Sequence, residues 1–473
     1  MEIINNKSNN NTRENPTSNI PEDAPVVVAL DIGTTKIAVI VGVKNKYDKI
    51  EILAYTNVPS KGVLTGAVAN IKDATESIGK AIREVAGKCN VEIAEVVVGV
   101  AGQHIKTFNQ STSLTISGEE VCENDIKKML EDIRQISQKP GEKIISIIPQ
   151  DFVIDNVHGI TQPIGYSGKQ IKGNFHVVSV TESIIKNINK CVQANHLNVQ
   201  EFFLEPIASA AAVLTEEQKE SGVCLIDIGG GTTDIAIYHG NIIRYSAVIA
   251  FGGNIITEDI KELCKITKNQ AEKLKTEYGS ALPYEELKEK NLKLIKTSEN
   301  MLDKSEISKT INAYHLADII NARIEEMIMC VDAHLEISDY KKKLSSGIIL
   351  TGGGSLLKNI QNVFMANLGI DTGIGIPNQH ISTSIQELKS PIYSTAIGLL
   401  ILGFQNISEK ENDNKPSSNT ANSHQNENKD IDSVKKLNTT RKNNFLSGII
   451  SSIKSLFETP DNMDSTDNTN NTQ

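Results

Sequence analysis

The sequence contains the same hairpin pattern twice. It occurs as PVVVALDIGTTKIAVIVG in residues 25–42 and as GVCLIDIGGGTTDIAIYHG in residues 222–240. Each copy runs from an apolar strand through Asp-Ile-Gly into a turn of Gly and Thr, and then into a second apolar strand. Because apolar residues resume directly after the turn, each copy predicts a β-hairpin rather than a strand that leads into a helix. An internal duplication is the simplest explanation, and 473 residues are enough for two or more domains.

The two hairpins carry the side chains that phosphate binding needs. Glycine lets backbone amides approach an anion closely, and threonine adds hydroxyl donors. A carboxylate beside phosphate would repel it unless a divalent cation lay between them, so Asp31 and Asp227 are predicted ligands of Mg²⁺, direct or through water. Lys36 could neutralise charge on the terminal phosphate. The remaining predicted phosphate contacts are Gly33, Thr34, Thr35, Gly229, Gly230, Gly231, Thr232 and Thr233.

A single Asp-Gly turn is ordinary hairpin chemistry and needs no ligand. Here the two copies are followed by a third glycine turn, GIILTGGGSLL in residues 347–357. DIGTTK, DIGGGTTD and LTGGGSLL resemble, in the same order, the phosphate-1, phosphate-2 and adenosine motifs of the actin, sugar-kinase and heat-shock-chaperone ATPase superfamily. The resemblance implies an α/β fold of two ribonuclease-H-like domains that bind ATP and Mg²⁺ between them. It also implies adenosine contacts from Gly352, Gly353, Gly354 and Ser355.

Two stretches rich in small residues resemble the helices that connect the two domains in that superfamily. They are EPIASAAAVL, Glu205–Leu214, and SPIYSTAIGLL, Ser390–Leu400. An ordinary buried helix pair would have the same composition. The resemblance implies that Glu205, an acid before proline, orients a metal-bound water. Glu272 and Lys275 lie three residues apart and so share a helix face, as the nucleoside-contacting residues of actin-like proteins do; solvent-exposed charges would show the same spacing.

The resemblance narrows to the FtsA family of bacterial division proteins over residues 26–403. VPSKGVLTGAVANI, VVVGVAGQHI, IIPQDFVIDNVHGITQPIGYSG and AEKLKTEYG all resemble that family. Its members lack the usual actin subdomain 1B and carry a small inserted subdomain elsewhere, for which the IPQDF, NVHGI and PIGYSG segments are the counterpart. The predicted division is subdomain 1A at 25–100 and 180–205, inserted subdomain 1C at 101–179, subdomain 2A at 206–252 and 345–404, and subdomain 2B at 253–344.

Rival classes are disfavoured by what the sequence lacks. There is no GxxxxGK[ST] motif and no strand-following GxGxxG with a downstream acid, so P-loop and Rossmann sites are excluded. A formal net charge of −10 argues against a nucleic-acid partner, which requires clustered Lys and Arg. The absence of Trp and the low aromatic content of 4% leave little to stack against a sugar ring, which disfavours a sugar kinase.

The segments before and after the predicted domains differ from them in composition. Residues 1–24 and 405–444 are rich in polar residues and predict a disordered extension and a disordered linker, and residues 459–473 predict a disordered tail. The N-terminus lacks the apolar segment of a signal peptide, and the longest apolar stretch, 397–404, is too short to span a bilayer.

Between the linker and the tail, residues 445–458 predict a membrane-binding amphipathic helix. At 100° per residue, seven apolar side chains fall within an arc of about 140° and every Ser, Gly, Lys and Glu falls outside it. Five basic residues and no acid lie between Val434 and Phe457, which suits an anionic membrane. The predicted membrane contacts are Phe445, Leu446, Ile449, Ile450, Ile453, Leu456 and Phe457.

The resemblance also implies a function. It describes an ATP-binding protein that assembles actin-like filaments on the cytoplasmic face of the cell membrane at the division septum. There it tethers the ring of the tubulin-like protein FtsZ, through subdomain 2B, and recruits later division proteins. Hydrolysis of ATP is implied to be weak at most. The alternative is a soluble actin-fold ATPase or pilus-assembly component whose last helix binds a protein groove rather than lipid.

Overall fold

The computed structural model describes residues 24–45, 49–89, 91–137, 139–296, 307–377, 381–382 and 385–413. The predicted extension before residue 24, the linker beyond residue 413, the membrane-binding helix and the tail lie outside the described residues. No helix within the described ranges is long and apolar enough to cross a membrane.

The first lobe begins with the first predicted hairpin. Val26 pairs with Val43 and Ile32 with Ile37 in antiparallel register, so Asp31 stands next to the turn, as predicted. Both faces of this hairpin are buried because helices cover the sheet on each side. The elements are β1 (Val26–Ile32), β2 (Lys36–Lys44), β3 (Ile50–Pro59), β4 (Val63–Leu64), β5 (Ala67–Val68), α1 (Ile71–Cys89) and β6 (Glu95–Val100).

The inserted subdomain follows β6 and has its own sheet, with one helix packed on one face. Phe152, Phe175, Met129 and Leu130 lie in its separate apolar core. Its strands are ordered β7-β10-β8-β9, all antiparallel. The elements are β7 (Ile105–Thr115), α2 (Glu123–Ser137), β8 (Glu142–Ile154), β9 (Val157–Ile160) and β10 (Gln170–Thr181). The chain then returns to the first lobe through α3 (Glu182–Gln193) and β11 (Asn198–Leu204) and leaves it by α4 (Glu205–Val213).

The second lobe starts with the second predicted hairpin, in which Ile228 pairs with Thr233 across the turn. Its core is filled largely by the 25-residue helix α8 and the strands beneath it. The elements are α5 (Glu216–Ser221), β12 (Val223–Ile228), β13 (Thr233–His239), β14 (Ile242–Ile249), α6 (Gly253–Cys264), α7 (Lys268–Tyr278), β15 (Asn291–Lys296), β16 (Ile307–Asn312), α8 (Ala313–Ile337), β17 (Ile348–Thr351), α9 (Ile360–Leu368) and β18 (Thr372–Ile374). The chain leaves this lobe through β19 (Ile381–Ser382) and α10 (Ser394–Asp413).

The two lobes share one sheet topology, which confirms the predicted duplicated α/β fold. The strand order is β3-β2-β1-β6-β11 in the first lobe and β14-β13-β12-β17-β18 in the second. In each case an antiparallel three-stranded meander is extended by two parallel strands on the side of its first strand. β19 extends the first sheet by pairing with β3, so a segment that follows the second lobe is joined to the first.

The two connecting helices, α4 and α10, pack against each other between the lobes. A methyl group added to Gly398 of α10 would collide with the backbone of Ala208 in α4, so glycine permits the close crossing. The helix α10 starts at Ser394 after a 3₁₀ turn at Pro391–Tyr393, and it continues to Asp413. The predicted start of the linker, residue 405, therefore lies inside this helix. A helix can run beyond its buried part where the residues are good helix formers.

The inserted subdomain also contacts the second lobe. Gln150 donates from Nε2 to the carbonyl oxygen of Ile243 at 2.8 Å, and Arg244 pairs with Asp151 at 2.8 Å. His176 Nε2 lies 2.9 Å from Ser246 Oγ. A polar cavity of about 550 Å³ lies beside these contacts, between the inserted sheet, β14 and the end of α8. The subdomain therefore bridges the two lobes.

Candidate nucleotide-binding site

The two predicted carboxylates lie at equivalent places, one residue before the end of β1 and of β12. Asp31 and Asp227 retain only 6% and 5% of their surface exposed. Burial raises the pKa of Asp31, against the opposing effect of nearby Lys36, and burial also raises the pKa of Asp227. A carboxylate in this position favours a cation close by.

The two glycine turns touch across the cleft between the lobes. A methyl group on Gly231 would lie 2.8 Å from Thr34 Cβ, and one on Gly230 would lie 3.1 Å from Thr35 Cβ. Thr35 Oγ1 also lies 3.5 Å from Oδ1 of Asn254. Glycine in the second turn is what lets the threonines of the first approach this closely. The structure therefore brings the two predicted phosphate-binding turns together.

Lys36 is directed toward the segment before α10. Its ammonium group donates to the carbonyl oxygen of Ile392 at 2.6 Å, lies 3.6 Å from Asp31 Oδ2 and stands 5.0 Å from the ring centroid of Tyr393. The predicted phosphate partner thus links the first hairpin to the second connector.

Two further carboxylates belong to the site. Burial, together with repulsion from Asp31, Asp234 and Asp227, raises the pKa of Glu205 well above its ordinary value. Burial and repulsion from Asp227 do the same for the pKa of Asp234, whose Oδ1 has no hydrogen-bond partner among the described residues. Four acidic groups thus repel one another in a buried space, and the cation Lys36 offsets only part of that repulsion.

Asp227 is held by both connecting helices. Its Oδ2 accepts a hydrogen bond from Ser209 Oγ in α4 at 2.5 Å and from Thr395 Oγ1 in α10 at 3.2 Å. Its Oδ1 lies where a side chain on Gly352 would be, and Gly352 has a φ of +78°, which also favours glycine. The third predicted turn therefore packs directly on the second hairpin.

The remaining members of the third turn also face the second hairpin. Gly354 lies against Ile228, and Ser355 is buried and donates from Oγ to the carbonyl oxygen of Gly352 at 2.7 Å. Gly353 starts the short 3₁₀ turn Gly353–Leu356. All three predicted motifs meet at one place, although they are far apart in the sequence.

Glu272 and Lys275 share a face of α7, as predicted, and this face points to the start of α6. Lys275 Nζ lies 2.7 Å from Glu272 Oε2 and donates to the carbonyl oxygen of Gly253 at 2.8 Å. The amide of Gly253 in turn donates to the carbonyl oxygen of Gly229 at 2.9 Å. The pair therefore adjoins the second glycine turn through α6.

The two threonines of the second hairpin differ. Thr232 Oγ1 donates to Asp234 Oδ2 at 3.4 Å, inside the acidic cluster. The hydroxyl of Thr233 instead donates to the carbonyl oxygen of Phe251 at 2.9 Å, and Thr233 is fully buried. Its predicted role as a phosphate donor is therefore corrected, because alternation along β13 turns this side chain into the core of the second lobe.

Two residues of the site, Asp234 and Asn254, and two residues of the connecting helices that hold Asp227, Ser209 and Thr395, are not predicted by the sequence patterns. Asp234 is the last residue of the DIGGGTTD motif and lies four residues after Gly230. A carboxylate this close to the glycine turn could have been predicted as part of the site. The other three have no signal of their own, since small hydroxyl and amide residues are common in helices of this composition.

The residues present fit a magnesium ion held partly by water and phosphate. No group of three or more His, Cys, Asp or Glu side chains in the described ranges converges closely enough to hold a metal by itself. Mg²⁺ is usually bound by one or two carboxylates together with water and substrate phosphates. The buried, partnerless Oδ1 of Asp234 and the mutual repulsion of the four acids are what such an ion would relieve.

Two lobes of the same topology, crossed connecting helices and three glycine turns in the cleft define an actin-like ATPase fold. Solved structures share it. One is a PilM–PilN type IV pilus biogenesis complex, with a TM-score of 0.58 at 16% identity over 80% of this chain and 98% of that one. Another is MreB5 of Spiroplasma citri bound to ADP, with a TM-score of 0.50 at 16% identity over 83% and 100%.

The closer relatives are division proteins. Residues 224–398 match the family model described as cell division protein FtsA, and residues 102–179 match the SHS2 domain inserted in FtsA. The chain is 33% identical to FtsA of Pseudomonas aeruginosa over 82% of its length and 91% of the relative, and 34% identical to FtsA of Neisseria meningitidis over 79% and 89%. The chain belongs to the FtsA family of cell division proteins.

Proposed function

We propose that the protein binds Mg²⁺ and ATP in its interdomain cleft, assembles into actin-like filaments, and attaches those filaments to the cytoplasmic face of the cell membrane at the division septum. Membership in the FtsA family supports a role in cell division. The observation that carries the nucleotide part is the cluster of three buried carboxylates, Asp31, Asp227 and Asp234, with the half-buried Glu205, beside two glycine turns.

The nucleotide part follows from charge and backbone geometry. Phosphate needs amide donors without side chains in the way, which the glycine turns offer, and it needs a cation to separate it from the acids. In this proposal Asp31 and Asp227 would hold Mg²⁺, directly or through water, and the ion would offset the charge of the phosphates. Glu205 would orient a water at the ion, and Gly352–Ser355 with Glu272 and Lys275 would contact the nucleoside. Turnover of ATP is slow at most.

The membrane part rests on the sequence of residues 445–457, which lie outside the described residues. An apolar arc flanked by basic residues favours binding to an anionic leaflet, with about 1 kcal/mol from each cation near the surface. One such helix binds weakly. A filament presents many helices at once, so each bound helix raises the effective concentration of the next.

The proposed partners are the membrane, other copies of this chain, the tubulin-like protein FtsZ through residues 253–344, and later division proteins. No nucleic-acid partner is proposed. Filaments that hold FtsZ at one side and lipid at the other would tether the division ring.

A nucleotide-binding assay tests the first part. Asp227→Ala should abolish binding of a fluorescent ATP analogue and Mg²⁺-dependent assembly, because it removes a carboxylate and leaves the hydroxyls of Ser209 and Thr395 without their acceptor. The control is Asp132→Ala in α2 of the inserted subdomain, which should bind as the wild type does. Undiminished ATP binding and assembly by the Asp227 variant would refute the cleft assignment.

Liposome sedimentation tests the second part. Ile453→Glu places a charge in the apolar arc and should abolish sedimentation with vesicles of anionic lipid, whereas Ser452→Glu makes the same charge change on the polar face and should retain most of it. Equal loss in both variants would mean that charge alone governs binding. Unchanged sedimentation of the Ile453 variant would favour a protein groove as the target of this helix.

A further inference from the structure

One carboxylate joins the two connecting helices. Asp227 Oδ2 accepts from Ser209 Oγ of α4 at 2.5 Å and from Thr395 Oγ1 of α10 at 3.2 Å, and the two hydroxyl oxygens lie 3.1 Å apart. Ser209 is fully buried, and Asp227 is 5% exposed. The junction is therefore shielded from water, where such hydrogen bonds are stronger than at a surface.

The junction lies close to the point where the helices cross. Ala208, which precedes Ser209, is the residue whose backbone abuts Gly398. Thr395 precedes Gly398 by three residues, so the two lie on one face of α10, one turn apart. Any change in the crossing of α4 and α10 must therefore shift the Ser209 and Thr395 hydroxyls relative to each other.

The same carboxylate stands beside the turn that touches the other lobe. Gly230 and Gly231 abut Thr35 and Thr34, so a phosphate group entering between the two turns requires them to separate. The lobes are joined by α4 and α10, and the inserted subdomain also contacts the second lobe. A separation at the turns would therefore change the angle at which α4 and α10 cross.

We propose that Ser209 and Thr395 are positioning residues, which connect Asp227 to the crossing of α4 and α10 so that phosphate bound between the turns changes the angle between the lobes. The inference rests on the proposed binding of ATP in this cleft. A merely structural role is the competing explanation: the hydroxyls would only satisfy a buried carboxylate, and their loss would lower stability without altering the response to nucleotide.

The test uses the full-length protein and a distance between the lobes. Spin labels are introduced through non-canonical amino acids at Lys80, on the exposed face of α1, and at Lys273, on the exposed face of α7. Pulsed electron paramagnetic resonance measures the distance between the two labels, first without nucleotide and then with Mg²⁺ and saturating ATP. Thr395→Val removes the hydroxyl at nearly constant shape, and Thr395→Ser keeps it.

The wild type and Thr395→Ser should show the same ATP-induced shift in distance. Thr395→Val should bind ATP within about tenfold of the wild-type affinity, yet show less than half of the shift at saturation. A full shift in Thr395→Val would overturn the proposal, as would a wild type that binds ATP with no change in distance. If Thr395→Val does not fold, Ser209→Ala is measured against the same criteria.

A failure of the proposed ATP binding can be distinguished from a failure of the coupling through Ser209 and Thr395. A wild type that does not bind ATP at all refutes nucleotide binding, and the inference about Ser209 and Thr395 falls with it. Binding measured by fluorescence before labelling separates this outcome from a failure of coupling alone.

Discussion

Lys36 Nζ lies 3.6 Å from Asp31 Oδ2, and the same ammonium group donates to the carbonyl oxygen of Ile392 at 2.6 Å. One cation thus touches the first hairpin and the segment that leads into α10. Burial raises the pKa of Asp31, and the charge of Lys36 opposes that rise. Lys36→Met should therefore weaken ATP binding about tenfold, or about 1.4 kcal/mol, because the acidic cluster loses a compensating charge.

A titration with a fluorescent ATP analogue measures this effect. The matched control is Lys49→Met, which removes an exposed lysine immediately before β3 in the same lobe and should leave the affinity unchanged. An unchanged affinity in the Lys36 variant would mean that its charge acts only on the connector.

The contact between the two turns predicts a coupled pair of substitutions. Gly230→Ala brings a methyl group against Thr35 and should lower the free energy of unfolding of the nucleotide-free protein, since the turns can no longer take up this arrangement. Thr35→Ala removes the hydroxyl that the methyl group meets first, so the double variant should recover stability. A double-mutant cycle on the free energy of unfolding should give a coupling of about 0.5–3 kcal/mol, as residues in contact do. Strict additivity would show that the turns do not meet in solution.

The amino-acid sequence is sufficient for the parts of the site that depend on local patterns. A carboxylate at a strand end, a glycine turn and a resumed strand are adjacent in the chain, so the positions of Asp31 and Asp227 follow from the sequence alone. The positions of Ser209 and Thr395 in the site do not follow from the sequence. Thr395, for example, lies 168 residues from the carboxylate that it contacts. A hydroxyl in a small-residue helix gives no local sign of its partner.

Two predictions are wrong. The sequence pattern does not show which way the Thr233 side chain points, or how far α10 continues beyond its buried part. The position of Thr233 beside the glycines predicts a phosphate contact, but strand alternation directs its hydroxyl to Phe251. The end of the apolar residues predicts a linker from residue 405, yet α10 continues to Asp413. A helix, once formed, can extend through polar residues because each added residue gains a backbone hydrogen bond.

The bridge between the inserted subdomain and the second lobe should contribute to stability. Gln150 is 5% exposed and donates from Nε2 to the carbonyl oxygens of Ile243 at 2.8 Å and Arg244 at 3.4 Å. Gln150→Leu leaves the buried carbonyl of Ile243 and the half-buried carbonyl of Arg244 without this donor and should cost about 1–3 kcal/mol in the free energy of unfolding.

Urea denaturation monitored by circular dichroism measures that cost. Gln110→Leu is the matched control, because Gln110 lines the same cavity but, among the residues that the structure describes, donates only to the neighbouring Ser111 carbonyl. It should change stability by less than about 0.5 kcal/mol. Equal effects from both substitutions would indicate that loss of amide polarity, rather than the contact between lobes, determines the result.

The bridge also predicts a pH dependence through His176. Burial lowers the pKa of this imidazole from its ordinary 6.5 to about 4, and its nitrogens lie 2.9 Å from Asn109 Oδ1 and 2.9 Å from Ser246 Oγ. The unfolded chain therefore binds a proton below pH 6.5 that the folded protein takes up only near pH 4, so stability falls as the pH is lowered through this window. By pH 5 the loss should be about 2 kcal/mol.

The variant His176→Gln cannot titrate. Between pH 7.5 and pH 5 the wild type should therefore lose about 2 kcal/mol more stability than this variant, as measured by urea denaturation. Parallel losses in the two proteins would show that His176 is hydrated in solution and that the inserted subdomain does not seal against β14.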